Sequence, residues 1–312
     1  MNITNTKYIH INKKHITCFL CFLLMLLFII QSKEICDAFY EAGIFCAKRI
    51  IPTLFPFLLL CGILINSGGL DTLSSLSKPL FKKMKLNPYL STPYVLGLIC
   101  GFPIGAKATK QLYTENKISK AEADIVLSGV NCASPSFVIC TVGAGMLGNQ
   151  KTGLCIWAIT VVISIMLSLI IMPKRTDNVI IADYNEKEFD FGSVFIASLK
   201  SAAVSVIIIS FIVAFFYVLS TVADKYLSEV QLSSTAKAVL YSLIEITSGC
   251  KYATENVSQY KESLCAFAVG FGGLSVFSQI KAEAHPKANM LYYTTLKIIC
   301  GLVSALFVTF LL

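Results

Sequence analysis

Apolar residues fall along this chain in long runs separated by short charged stretches, and the runs differ in how cleanly they are built. The first, CFLCFLLMLLFII at 18–30, follows Lys7, Lys13 and Lys14. It predicts an uncleaved first span with a cytoplasmic amino end, because QSKEICDAFYEA beyond it offers no small-residue cleavage site. Over 32–49 apolar positions interleave with Glu34, Asp37, Glu41 and Lys48, which predicts an amphipathic helix at the membrane interface. Residues 50–66, IIPTLFPFLLLCGILIN, predict a span whose prolines sit in its first turns. A polar linker follows at 70–91.

The run 92–106, TPYVLGLICGFPIGA, has 15 residues, against the roughly 20 that a spanning helix needs. Lys78, Lys82, Lys83 and Lys85 precede it, and Lys107, Lys110, Lys117 and Lys120 follow it. Lysine-rich short loops stay in the cytoplasm, so the segment is expected to dip in and turn back as a re-entrant hairpin with Gly101 and Gly105 at its tip. The next run, 121–148, is broken by NCASPS. Pro135 has no amide proton to give, so a discontinuous helix is expected there.

Residues 152–172 read as a continuous span, and 174–192 as a hydrophilic linker near the middle of the chain. The second half offers a long span at 194–222, a short apolar segment at 238–250 containing Glu245, a glycine-broken segment at 264–280 and a last span at 290–312. GFPIGAK in the first half is echoed by GFGGLSV in the second. Interrupted segments in matching places point to two transporter-like repeats, although close helix packing also uses such glycines. The expected organisation is a first span and amphipathic segment (1–49), a membrane repeat (50–173), the linker (174–192) and a second repeat (193–312).

Composition agrees: of 312 residues, 55% are hydrophobic and only 14% charged, where a soluble domain carries roughly 25% charged residues. The mean hydropathy is +0.72. The fold class expected is an all-α polytopic membrane protein of about seven to nine membrane segments, some re-entrant or broken. The net charge of +8 is scattered over loops, with no basic and aromatic stripe for nucleic acid. The twelve cysteines lie mostly in apolar runs, where cysteine behaves as a small hydrophobe. The chain carries no G-x-S-x-G, H-E-x-x-H or P-loop pattern, so neither an enzyme nor a metal site is expected.

Glu245 is the leading candidate for chemistry. A carboxylate in AVLYSLIEITSG must face protein or water, where it can bind a proton, a cation or a polar solute, or else pair structurally with Lys200. Asn131, Ser134 and Ser136 flank the Pro135 break and can either contact a solute or hydrogen-bond between helices. Gly270, Gly272, Gly273, Ser275 and Gln279 take the corresponding place in the second half. Lys107, just past the Gly101–Gly105 break, either draws an anionic solute or marks the cytoplasmic face. The expected partners are the bilayer and a small polar solute, with a Na+ or H+ coupling ion and self-association left open.

GFPIGAKATKQLYTENKISKAEAD, GVNCASPSFVICTVGAGMLGN, LIEITSGC and GFGGLSVFSQI, in that order between about 50 and 280, resemble the YlbJ-type sporulation integral membrane proteins, which belong with the nucleoside recognition, or Gate, domain proteins. The resemblance implies a multi-pass membrane protein of an endospore-forming bacterium, needed for spore formation, with a transporter-like core. It supplies no substrate. A membrane scaffold that recruits spore-assembly partners without transporting anything remains the alternative.

Overall fold

The computed structural model describes residues 13–173 and 190–312. The amino-terminal tail with its lysines, and most of the hydrophilic linker expected at 174–192, lie outside the described residues. Among the described residues every regular element is helical. Among those residues, five helical stretches are long and apolar enough to cross a bilayer, and two shorter apolar helices accompany them. With that composition the chain is a polytopic integral membrane protein.

The first half opens with α1 (Lys13–Ile30) and α2 (Ser32–Phe45). A π-helical turn, Cys46–Ile50, joins α2 to α3 (Ile51–Asn66) without interruption. The resulting 35-residue rod is about 52 Å long at 1.5 Å per residue, well beyond a hydrocarbon core of about 30 Å. Residues 32–49 are helical and run on into α3, and part of their face packs on α9 (Phe191–Glu229).

The pairing of this rod with α9 is antiparallel. Asn66 Nδ2 donates to Ser198 Oγ at one end, and Gln31 Nε2 donates to the Tyr226 hydroxyl at the other. The Gln31 end also carries the Lys225–Glu34 ion pair and the Tyr217–Glu41 bond, so it is the end that stands out of the hydrocarbon. The stretch read as a polar linker contains α4 (Gly69–Lys83), an amphipathic helix closed by Lys82 and Lys83.

The short run at 92–106 is a helical hairpin. α5 (Ser91–Cys100) and α6 (Ile104–Thr114) pack on each other about a turn at 101–103. At about 15 Å each, they reach halfway through a bilayer. The next segment is the broken helix expected there: α7 (Lys120–Val130), an extended stretch at 131–134 and a π-helical segment, Phe137–Met146. α8 (Gln150–Ile171) then returns.

The same order recurs after α9: a hairpin of α10 (Ser234–Ile244) and α11 (Ile246–Asn256), a broken helix of α12 (Lys261–Phe271) and α13 (Gly273–Glu283), and a closing span, α14 (Met290–Leu311). Since α3 and α9 run in opposite directions, the two series do as well. The Gln31 end of the rod is also the α10–α11 base, where α9 ends and α10 begins.

Candidate functional site

Each hairpin tip seats against the break of the broken helix in its own half. In the first half Phe102 N–H donates to Cys132 O (2.9 Å) and Ala106 N–H to Asn131 Oδ1 (3.1 Å). Gly101 has φ +73°, and a Cβ there would stand 2.6 Å from the Ser134 nitrogen, so only glycine fits. In the second half the tip is Glu245 itself, the single residue between α10 and α11, and Gly273 lies against it. A Cβ on Gly273 would meet the carbonyl oxygens of Ser242 and Ile244 at 2.9 and 3.1 Å.

Glu245 caps α11. Its Oε2 accepts from the Ser248 N–H (2.7 Å) and the Ser248 hydroxyl (3.2 Å), a charge-compatible arrangement at a helix N-terminus. The side chain is 1% exposed. It lines a cavity of about 60 Å³ with Thr247 from its own hairpin, Phe102 from the other tip, Ser134 and Phe137 from the first broken helix, and Gln279 from the second. α3 and α9 close the sides through Leu54 and Val213. All four irregular segments thus meet at one small chamber.

The sequence-derived candidates divide in two. Glu245, Ser134 and Gln279 share the chamber. Gln279 is 3% exposed; its Nε2 donates to Ser275 Oγ (3.4 Å), and its Oε1 has no hydrogen-bond partner. The others hold the frame. Asn131 accepts from Ala106 and donates to Leu127 O, so its amide braces the first tip.

Gly105 packs on Val130, Gly270 on Gly301, and Gly272 turns the chain at φ +87°. Ser275 is fully buried under Gln279, and Ser136 opens the π-helical segment outside the chamber lining. Lys107 donates to Ser201 Oγ (2.8 Å) and Ser205 Oγ (3.0 Å) of α9, and Ser205 Oγ donates on to Glu283 Oε1 (3.0 Å). Lys200 is exposed on α9 and does not pair with Glu245.

A second cavity of about 470 Å³ opens between α2, α9 and the second hairpin, at the end of the rod that carries Lys225–Glu34. Glu41, Asp224, Glu255, Lys237 and Lys251 stand around it, with the Tyr241 and Tyr252 rings 4.8 Å apart and tilted at 42°. Ser248 lines this basin and also binds Glu245, so the serine–carboxylate pair links the basin to the chamber. Along α9 the tiers follow in order: Ser201 and Ser205 bound to Lys107, Ile209 and Val213 at the chamber, then Tyr217 to Asp224 at the basin.

Lys297, Glu122 and Asp124 are buried charges that were not singled out from the sequence. Lys297 of α14 is 2% exposed, and its Nζ lies 3.5 Å from Ser164 Oγ, which donates to Ser128 O beside the first break. A lysine inside TTLKIICG carries the same signal that marked Glu245, a charge within an apolar span.

Residues 47–150, running from the π-helical turn through the first broken helix, match the Gate family model, described as Nucleoside recognition. The chain is similar to the Gate-domain membrane proteins. Over 273 residues it is 24% identical to the sporulation integral membrane protein YlbJ of Bacillus subtilis (strain 168), an alignment covering 74% of this chain and 66% of the relative. The chain thus spans just under two thirds of that relative's length. These matches return the family that the four sequence blocks resembled. The Gate match takes in Phe102 and Ser134, whereas Glu245 and Gln279 fall beyond it. No solved structure matches.

Proposed function

We propose that this chain is a transporter or permease-like protein that moves a small polar solute through the Glu245 chamber, and that it serves spore formation. The observation that carries the reading is the convergence of both hairpin tips and both broken helices on one chamber containing a buried carboxylate. Broken helices at mid-depth present polar backbone and side chains to a guest without exposing them to lipid. The opposed direction of the two series supports their acting as inverted repeats, bounded near 50–173 and 193–312.

The role in sporulation follows the Bacillus relative, and the transporter-like core follows the Gate match. The lysines around the first hairpin base support a cytoplasmic side for that base, and the reading puts the amino terminus on the same side. No catalytic step is assigned. The reading of the chain as a non-transporting scaffold draws on the framing role of Asn131 and the glycines.

Complementation separates the two. A sporulation-deficient deletion strain would receive wild type, Glu245→Gln or Glu245→Ala at equal membrane abundance. Transport predicts loss of function in both variants. Full rescue by both would leave Glu245 a structural carboxylate and favour the scaffold.

A further inference from the structure

We infer that the chamber is a binding site for one small monovalent cation, either an inorganic ion or a protonated amine, held between the Glu245 carboxylate and Gln279 Oε1. The inference rests on the transport reading for the purpose of the site, but its chemistry comes from the lining. Glu245 is the only charged residue among the lining residues. Gln279 Oε1 is a buried acceptor without a donor, which is costly unless a guest supplies one.

The hydroxyls of Ser134 and Thr247 add further oxygens. Lys107, the nearest basic residue in the first tip's sequence, is committed to Ser201 and Ser205. A chamber offering acceptor oxygens and a single carboxyl group, with no basic residue in its lining, suits a guest that brings positive charge. Hard oxygen ligands with a single carboxylate suit a monovalent cation better than a divalent one, which recruits more ligands and more charge.

Size narrows the choice. About 60 Å³ is room for a few waters, one needing roughly 10–15 Å³ of such cavity space. That is room for a partly hydrated ion or a small ammonium group. It is far below the roughly 300 Å³ at which ordinary small-molecule pockets begin, so this conformation excludes a guest of nucleoside size. The approach is matched in charge, since the basin beyond Ser248 carries three carboxylates against two lysines.

The test is thermal unfolding of the purified full chain in detergent. Sodium, potassium, lithium or methylammonium chloride would replace N-methyl-D-glucamine chloride at constant ionic strength. The proposal expects a saturable rise in Tm with at least one of these cations; a response to the metal ions alone assigns an inorganic guest, and one to methylammonium alone assigns an amine.

Glu245→Gln is expected to abolish the rise. Gln279→Leu, which keeps the charge, is expected to weaken the apparent affinity by roughly tenfold, the loss of one hydrogen bond to a charged group. No rise with any cation in wild type, or an undiminished rise in both variants, overturns the site. This outcome is separate from complementation: cation binding can persist when Glu245 variants rescue sporulation, and can be absent when they do not.

Discussion

Glu245 stands where a carboxylate is expensive, and the chain offsets part of that cost with two donors from Ser248 and the N-terminus of α11. Its presence at depth was readable from sequence, because a charge inside an apolar run is visible without knowing its neighbours. Asn131 was read by the same logic and turned out to brace a hairpin tip, since polarity at depth does not say which way a side chain points.

Glycines make a sharper prediction at this scale. A Cβ on Gly97 would stand 2.2 Å from Val130 O, whereas one on Gly43 meets nothing within 4 Å. Gly97→Ala is expected to destabilise the protein by about 1–3 kcal/mol, as overpacking does. Gly43→Ala, in the helix interior, is expected to be neutral or to stabilise by up to about 1 kcal/mol. Thermal unfolding of both variants in one detergent checks the pair, and equal Tm values would contradict the seating of α5 on α7.

At the scale of elements, the turn between α13 and α14 ties the two halves together. His285 is 2% exposed, with Nε2 3.3 Å from Asp124 Oδ1 of α7 and its ring 4.4 Å from Tyr113 of α6. Burial is the leading influence and holds its pKa below the ordinary 6.5, with Lys120 acting in the same direction. Asp124 opposes them, but its Oδ1 already accepts from Asn289 N–H and its Oδ2 pairs with Lys120.

A base with a depressed folded pKa binds fewer protons folded than unfolded. Its contribution to stability is therefore present above about pH 6.5 and falls as the pH drops below that value toward the folded pKa. The Tm is expected to fall on acidification through this window, and His285→Gln is expected to flatten the slope. An unchanged slope in the variant would remove His285 from the account.

Elements themselves were unevenly legible. The hairpin at 92–106 followed from a run too short to span, and the break at 131–136 followed from Pro135. The helix at 32–49 followed from its amphipathic pattern, but that pattern did not show that part of its face packs on α9.

Over the whole molecule, the two ends of α9 differ. At one, Ser248 lines the basin and binds Glu245; at the other, Ser205 is buried between Lys107 and Glu283. Ser248→Cys is accordingly expected to react with a charged, membrane-impermeant thiol reagent from one face only. Ser205→Cys is expected to resist from both faces, with the unmodified chain as background for its native cysteines.

Comparable labelling of the two positions would contradict the asymmetry. Cysteines at 85 and 110 are expected to label from the same face, opposite to the face that reaches 248. Labelling of 85 and 110 from opposite faces would mean that the first hairpin spans.

The sequence by itself determined the membrane class, the places where helices break and the presence of a carboxylate at depth. These are local properties: hydropathy over a span, glycine and proline at a turn, and a charge among apolar neighbours. Only the tertiary structure decided that Glu245, Gln279 and Ser134 share one chamber, that Asn131 and Lys107 face elsewhere, and that a basin approaches from one end. Those relations depend on which faces of distant helices meet, and helix packing is set by side-chain fit across elements that lie far apart along the chain.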